Sequence, residues 1–209
     1  MVSATTLPDE AVDMTVSELH AFVLHRLVGA LRTIFGDGAL VLSEIFLRVT
    51  GPGGAEQVSP DLLIIPGAKR GARKVYHVPA EPVPEVTVEI LSAANYEADG
   101  RARLEQKRDL LGRIGVPTHI EIDRERGYVT VWANTGTALA VTGPPDNRYA
   151  GPALGGLRLE AEPGEVRMWM PTGRLGASAE SARADAEAAR ADRLAEMILR
   201  RHGIDPEEG

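Results

Sequence analysis

Apolar residues recur at three- and four-residue intervals in two segments, which predicts two amphipathic helices. The first is expected to open at a capping box over residues 15–18 and to end at the glycines after Phe35. The second is expected over residues 95–114 and ends at Gly115. Its apolar stripe has a lysine, Lys107, in the middle, between Leu104 and the Leu110–Leu111 pair. A lysine in that place needs an explanation.

Short apolar runs and two-residue alternation predict strands over residues 39–49, 59–65, 85–91, 119–123 and 128–133. The last two should form a hairpin across residues 124–127. Residues 66–84 are rich in proline, glycine and basic side chains and predict a loop. After Gly143 the pattern weakens into short strands and turns that end near Met170.

The composition changes at Gly176, and residues 178–202 are dominated by alanine, glutamate, aspartate and arginine. A four-three spacing typical of a short, weak coiled-coil seam is formed by Ala184, Ala188, Ala191, Ala195 and Ile198. We therefore divide the chain into a domain over residues 1–175 and a C-terminal Ala-rich helical arm over residues 176–209. The arm is expected to pack on its own domain or to form a homodimer with a second copy.

Three charged residues are placed in apolar segments. Asp61 directly precedes a run of four apolar residues, Glu89 lies between Val88 and Ile90, and Lys107 lies on the helix stripe. A buried charge loses hydration, so each of the three needs a partner. Two carboxylates and one ammonium can satisfy one another around a metal ion. This combination predicts a hydrolytic metal site, most often one that cleaves phosphodiesters.

The required chemistry matches these residue types. Mg²⁺ binds hard oxygen ligands through one or two carboxylates, and Mn²⁺ is the alternative ion. Such an ion polarises a phosphoryl oxygen and lowers the pKa of a water molecule. A lysine beside the phosphate stabilises the negative charge that develops there.

Two other clusters have competing interpretations. A basic cluster in the loop could hold the backbone phosphates of a nucleic acid or could be ordinary solvated charge; its members are Lys69, Arg70, Arg73 and Lys74. His119, Glu121 and Asp123 alternate along one strand as metal ligands would, but the intervening isoleucines favour a half-buried strand with a solvated face. His20 and His25 are five residues apart on the first helix and do not align as a ligand pair.

Composition narrows the possible classes of protein. The 209 residues include no cysteine, which excludes disulfides, cysteine nucleophiles and thiolate zinc sites. No apolar run approaches the ~20 residues of a membrane span, and residues 1–14 lack the features of a signal peptide, so a cytoplasmic protein without membrane partners is expected. The net charge of −7 argues against a generic nucleic-acid coat protein but not against a nuclease with local basic groups.

Taken in order, several motifs resemble the Uma family of restriction-endonuclease-like proteins, within the PD-(D/E)XK nuclease superfamily. They are Pro60-Asp61 before its apolar run, Val88-Glu89-Ile90-Leu91-Ser92, Asp99, Lys107, Gly115-Val116-Pro117 and a strand that closes on Asp123. The resemblance covers residues 59–132 and, loosely, the first helix, and the C-terminal helix is similar to tails of some members. It implies a restriction-endonuclease-like α/β fold, a mixed central sheet flanked by helices.

The resemblance also implies roles for individual residues. Asp61 and Glu89 would be the metal ligands and Lys107 the catalytic lysine, moved onto the helix from the strand position that Leu91 occupies here. Leu111 stands where the family often has tyrosine, and His119-Ile120-Glu121 replaces an aromatic pair. Glu18 and Glu44 are the nearby acids that could add a further ligand.

The expected function is that of a Mg²⁺-dependent DNA endonuclease that hydrolyses phosphodiester bonds by in-line attack of water. The alternative is a non-catalytic module with a nuclease fold that oligomerises or binds a protein partner. A divalent ion between Asp61 and Glu89 would favour the enzyme. Direct pairing of Lys107 in a closed pocket without metal would favour the module.

Overall fold

The computed structural model describes residues 10–51, 54–68, 71 and 73–171, and side chains from residue 19 onward. All of them belong to the first of two units into which the chain divides, Met1–Pro171. The Ala-rich arm, its dimer and the domain boundary at residue 175 concern residues outside these ranges and remain predictions.

Two α-helices, α1 (Glu10–Phe35) and α2 (Ala98–Arg113), and twelve strands make up the described part of the chain. In chain order the strands are β1 (Ala39–Ser43), β2 (Phe46–Gly51), β3 (Gly54–Val58), β4 (Leu62–Pro66), β5 (Val75–Val78), β6 (Val86–Leu91), β7 (Thr118–Asp123), β8 (Tyr128–Asn134), β9 (Leu139–Val141), β10 (Arg148–Tyr149), β11 (Arg158–Glu162) and β12 (Glu165–Trp169). Single 3-10 turns lie at Ala93–Tyr96 and Pro152–Leu154.

The central sheet has six strands in the order β1-β4-β6-β7-β8-β9. The β6–β7 pair is parallel and every other pair in this sheet is antiparallel. Parallel neighbours need a crossover connection, and α2 provides it between β6 and β7. The fold is therefore mixed α/β, as expected, with two smaller sheets, β3-β2-β5 and β10-β11-β12.

Strand alternation gives the central sheet two different faces. One face packs against α1 and the β10–β12 sheet, and its core includes Val41, Ile64, Val88, Ile120 and Ile122 with Leu27 and Leu31 of the helix. The opposite face packs against the β2–β5 pair and α2, and its core includes Leu40, Leu63, Ile65, Tyr76 and Leu111. The acids of the predicted site belong to this second face.

Three of the predicted features differ from the structure by more than a few residues at their ends. Helix α1 begins at Glu10, so Thr15 is a residue of the helix and not its cap. The predicted strand over residues 39–49 is broken at Glu44, whose φ of 53° is left-handed, and the chain passes there from the central sheet to the β2 sheet. The predicted loop over residues 66–84 contains β5, which pairs in parallel with β2.

The predicted hairpin of β7 and β8 is confirmed by their antiparallel register. Neither helix in the described part of the chain is long and apolar enough to cross a membrane.

The position of α2 depends on a close contact at its C-terminal end. A Cβ atom on Gly112 would lie 2.8 Å from the Cα of Ala138 and from the backbone nitrogen of Leu139, whereas a Cβ on Gly29, in α1, meets nothing within 4 Å. We expect Gly112→Ala to destabilise the protein by about 1–3 kcal/mol through overpacking. Gly29→Ala should instead stabilise it by about 0.5–1 kcal/mol, since alanine favours the helix. Chemical denaturation measures the change in the free energy of unfolding for each variant, and equal changes in the two would contradict this account.

Candidate active site

Antiparallel pairing of β4 with β6 brings Asp61 to Glu89. The register pairs Leu62 with Val88, so Asp61, one residue before Leu62, lies opposite Glu89, one residue after Val88. The Asp61 side chain is fixed there because its Oδ2 accepts a hydrogen bond of 2.7 Å from the backbone N–H of Ile90. Two carboxylates separated by 28 residues in sequence thus meet at one end of neighbouring strands, as the apolar runs around them suggested.

Lys107 reaches the same place from α2. Its Nζ donates to Glu89 Oε1 at 2.5 Å and to the carbonyl oxygen of Ser59 at 2.9 Å. An ammonium has three N–H donors. Within the described residues the structure gives Lys107 only these two acceptors. The three residues predicted from sequence are therefore brought together, with one Lys107 donor still available.

Burial dominates the electrostatics of Glu89. Only 6% of this residue is exposed, and loss of hydration raises the pKa of its carboxyl. The negative charge of Asp61 raises the pKa further, while the Lys107 ammonium opposes the rise. The site therefore holds two acidic side chains whose charges repel each other, and the Lys107 ammonium is paired with one of them, Glu89.

One oxygen of Glu89 identifies what could complete the site. Glu89 Oε2 is buried and has no hydrogen-bond partner among the described residues. A buried oxygen without a donor is costly, and a hard divalent cation satisfies such a carboxylate as a hydrogen-bond donor would. The carboxylate of Asp61 lies beside it, with Oδ2 bound to the Ile90 N–H and Oδ1 3.4 Å from Nε2 of His20, and supplies the second set of hard oxygen ligands. Both carboxylates therefore fit Mg²⁺ or Mn²⁺.

No group of three or more histidine, aspartate or glutamate side chains suited to a metal lies in the part of the chain that the structure describes. Two protein carboxylates with water or substrate oxygens are a normal Mg²⁺ arrangement, so this count is compatible with the ion. Glu44, considered above as a further ligand, is exposed and lines a different cleft from the one at Glu89. The Glu18 side chain lies outside the described residues.

His20 is a site residue that the sequence interpretation missed. Its Nε2 lies 3.4 Å from Asp61 Oδ1, and the hydrogen bond with Asp61 raises the pKa of His20 despite partial burial. In the sequence, the five-residue spacing of His20 and His25 indicates only that the two do not form a ligand pair. The available signal was its place on the buried stripe of α1, three and seven residues before Val23 and Leu27.

The expectation of a solvated face on β7 is wrong. His119, Glu121 and Asp123 are all buried, at 0%, 6% and 5% exposure, on the face that they share with Glu89. Arg108 of α2 contacts Glu121 there, and the N–H of Arg126 donates to Asp123 Oδ1. Thr87 Oγ1 and His119 Nδ1 are hydrogen-bonded at 2.8 Å. His119 Nε2 lies 3.4 Å from Glu121 Oε1. These side chains form a polar layer beneath the helix.

Helix α2 contacts this layer through two consecutive cations. Lys107 pairs with Glu89, and the Nε of Arg108 lies 3.2 Å from Glu121 Oε1. Glu89 and Glu121 are register partners on adjacent parallel strands. The Arg108 guanidinium also lies over the Trp132 ring, 4.5 Å from its centroid. Two parallel ion pairs therefore fix the helix over the sheet.

An open cleft of about 590 Å³ gives access to the site. Glu89 and Lys107 form part of its wall together with Ser59, Arg103 and Phe46. The pairing of Lys107 that would suit a non-catalytic module is present, but the closed pocket that should accompany it is not. Leu91, at the position where the commonest superfamily pattern has its lysine, and Leu111, where the Uma family often has tyrosine, are buried at 7% and 0% exposure.

Comparison with known proteins gives little further identification. No protein-family model matches the chain. No curated protein matches it either. Among solved structures, the fold is similar to that of a presumed nuclease of the DUF820 family from Anabaena variabilis. The similarity covers 65% of this chain and 73% of the other, with 15% identity and a TM-score of 0.48. Membership of the Uma family remains a prediction, and the case for a function rests on the side chains of the site.

The polar layer predicts a pH dependence of stability. Burial raises the pKa of Glu121, but the His119 ring and the Arg108 guanidinium outweigh it and hold the pKa below the ordinary value of 4.5. A lowered folded-state pKa contributes stability above the unfolded-state value, and this contribution is lost as the pH falls through the folded-state value. Glu121→Gln should therefore cost roughly 1–3 kcal/mol at pH 7 and progressively less below about pH 4.5.

Urea denaturation of both proteins between pH 3 and pH 8 measures this difference. Glu105→Gln, at an exposed position of α2, removes a carboxylate without a buried partner set and is the control; it should show no such pH-dependent loss. A constant difference across the range would show that the Glu121 charge does not stabilise the fold.

Proposed function

We propose that this chain is a Mg²⁺- or Mn²⁺-dependent DNA endonuclease that hydrolyses phosphodiester bonds. The observation that carries the proposal is the buried Glu89 carboxylate, which pairs with Lys107 through one oxygen and leaves the other without a donor beside Asp61. Asp61 and Glu89 would hold the divalent ion. When bound, such an ion supplies positive charge at the scissile phosphate and lowers the pKa of water.

The protein's own groups have distinct tasks in this proposal. The Ile90 N–H and His20 orient the Asp61 carboxylate. Glu89 and the Ser59 carbonyl fix the Lys107 ammonium, which keeps a third N–H for the attacking water or a phosphate oxygen. An ammonium at that place stabilises the negative charge that develops in the transition state. Burial strengthens this effect because little water screens the charges.

The alternative function, a non-catalytic module that binds a partner, is favoured by one observation. The Lys107–Glu89 ion pair is complete within the chain, so Lys107 could be only a structural counter-charge. The enzyme is better supported because Glu89 and Lys107 line an open cleft, whereas a purely structural ion pair needs no access from solvent. The two functions differ in their response to metal and in the effect of replacing the lysine.

Metal binding should stabilise the folded protein. A ligand that binds only the native state raises the melting temperature as its concentration rises. We expect Mg²⁺ or Mn²⁺ to raise the melting temperature of the unmodified protein, and Asp61→Asn or Glu89→Gln to abolish that shift. Glu105→Gln removes an exposed carboxylate and should leave the shift unchanged. Thermal scans with and without EDTA provide the measurement, and a shift that survives in both site variants would place the metal elsewhere.

Replacing Lys107 separates catalysis from structure. Lys107→Met should reduce Mg²⁺-dependent cleavage of plasmid DNA by about 100-fold or more, the usual scale for a lost transition-state contact. Arg101→Met removes an exposed cation from the same helix and should retain activity. An equally active Lys107→Met protein would refute the catalytic assignment.

The single variant also breaks a buried ion pair and should lose stability, which could by itself reduce activity. The double variant Lys107→Met/Glu89→Gln removes both charges and should recover much of that stability while remaining inactive. If stability and activity both returned in the double variant, Lys107 would be only a structural counter-charge.

A further inference from the structure

A second cleft, of about 760 Å³, adjoins the one at Glu89 and Lys107. Phe46 and Gln57 line both clefts, so the two share a wall. The second cleft is lined by Arg32, Arg48 and Lys74 as well. The chain as a whole carries a net charge of −7, so this concentration of cations is a local feature.

These cations are poorly neutralised. Arg48 donates to the neutral amide oxygen of Gln57 at 2.9 and 3.2 Å, and Arg32 donates to the Val41 carbonyl at 3.3 Å. Among the described residues, neither pairs with a carboxylate, although Glu44 lines the same cleft. A groove of this kind attracts the phosphates of a nucleic-acid backbone.

Phe46 stands where the two clefts meet, and 47% of it is exposed. An exposed aromatic ring in a basic groove provides a platform on which a nucleic-acid base can stack, and stacking is possible only for a base that is not already within a duplex. Phe22 is equally exposed, at 48%, but lines neither cleft. Arg26 lies over its ring, 5.5 Å from the centroid.

We propose that the two clefts together hold a single-stranded segment of nucleic acid. The backbone lies along Arg32, Arg48 and Lys74, an unpaired base stacks on Phe46, and the strand continues to the Glu89–Lys107 site. This inference deepens the proposed endonuclease function and rests on it for the cleavage step. Binding itself requires neither the metal nor Lys107. The preferred substrate is then single-stranded DNA, or a duplex with an unpaired flap or loop.

Fluorescence anisotropy in EDTA tests binding apart from cleavage. The probes are a fluorescein-labelled 20-nucleotide single strand of mixed sequence and the duplex formed with its complement. The full chain should bind the single strand at least tenfold more tightly. Phe46→Ala should weaken single-strand binding about 5- to 100-fold, the range for one lost base stack. Phe22→Ala, the matched aromatic control, should change it less than twofold.

The salt dependence tests the backbone contacts. Arg48→Ala should reduce the slope of log affinity against log salt concentration by about 0.7, the value for one phosphate contact on a single strand. Arg148→Ala, an exposed arginine on β10, should leave the slope unchanged. Equal or tighter binding of the duplex would overturn the proposal, and so would a Phe46→Ala protein that binds like Phe22→Ala.

The outcome is separable from that of the endonuclease proposal. Selective single-strand binding that depends on Phe46, without cleavage in Mg²⁺ or Mn²⁺, would support the groove and refute the enzyme. Cleavage of duplex DNA that requires Lys107 but is unchanged by Phe46→Ala and Arg48→Ala would support the enzyme and refute the groove.

Discussion

The arrangement of the site follows from the burial of one carboxylate, that of Glu89. This residue lies in β6, an inner strand of the central sheet, and both faces of that sheet are covered. A carboxylate with 6% exposure in such a place requires compensation, because hydration is lost and little replaces it. Lys107 supplies part of it across 2.5 Å. The same contact fixes α2, the helix that connects β6 to β7. The ion pair that compensates the Glu89 charge therefore also determines where this helix packs.

The face of the central sheet beneath α2 has an apolar half and a polar half. Its β1 and β4 half is apolar and packs against the β2–β5 pair, which stabilises the domain. Its β6 and β7 half carries Thr87, Glu89, His119 and Glu121, which are buried and polar. Leu111 packs into the apolar half while Lys107 and Arg108 pair in the polar half. One helix therefore bridges core and site, which explains why a lysine interrupts an apolar stripe.

Much of this could be predicted because it depends on local pattern. The apolar runs around Asp61 and Glu89 identify central strands, and the alternation over residues 119–133 identifies a hairpin. What could not be predicted depends on neighbours distant in sequence. The burial of the β7 face that carries His119 and Glu121 depends on contacts from other elements, among them Arg108 of α2. The segment of β5 is a strand only because β2 provides its partner. His20 escaped notice because its contact with Asp61 spans 41 residues.

The location of Lys107 on a helix affects how such a site can be found in a sequence. A lysine on the same strand as its glutamate must lie at a fixed, even separation, since side chains alternate between the two faces. Lys107 and Glu89 are 18 residues apart and are joined through a turn and two-thirds of a helix. That separation can change by whole helical turns, or with the length of the connecting turn, while the ammonium stays in reach of the carboxylate. The position of the ammonium is therefore set by the packing of the helix and not by a fixed spacing in sequence, so a search for a linear motif would not find such a site.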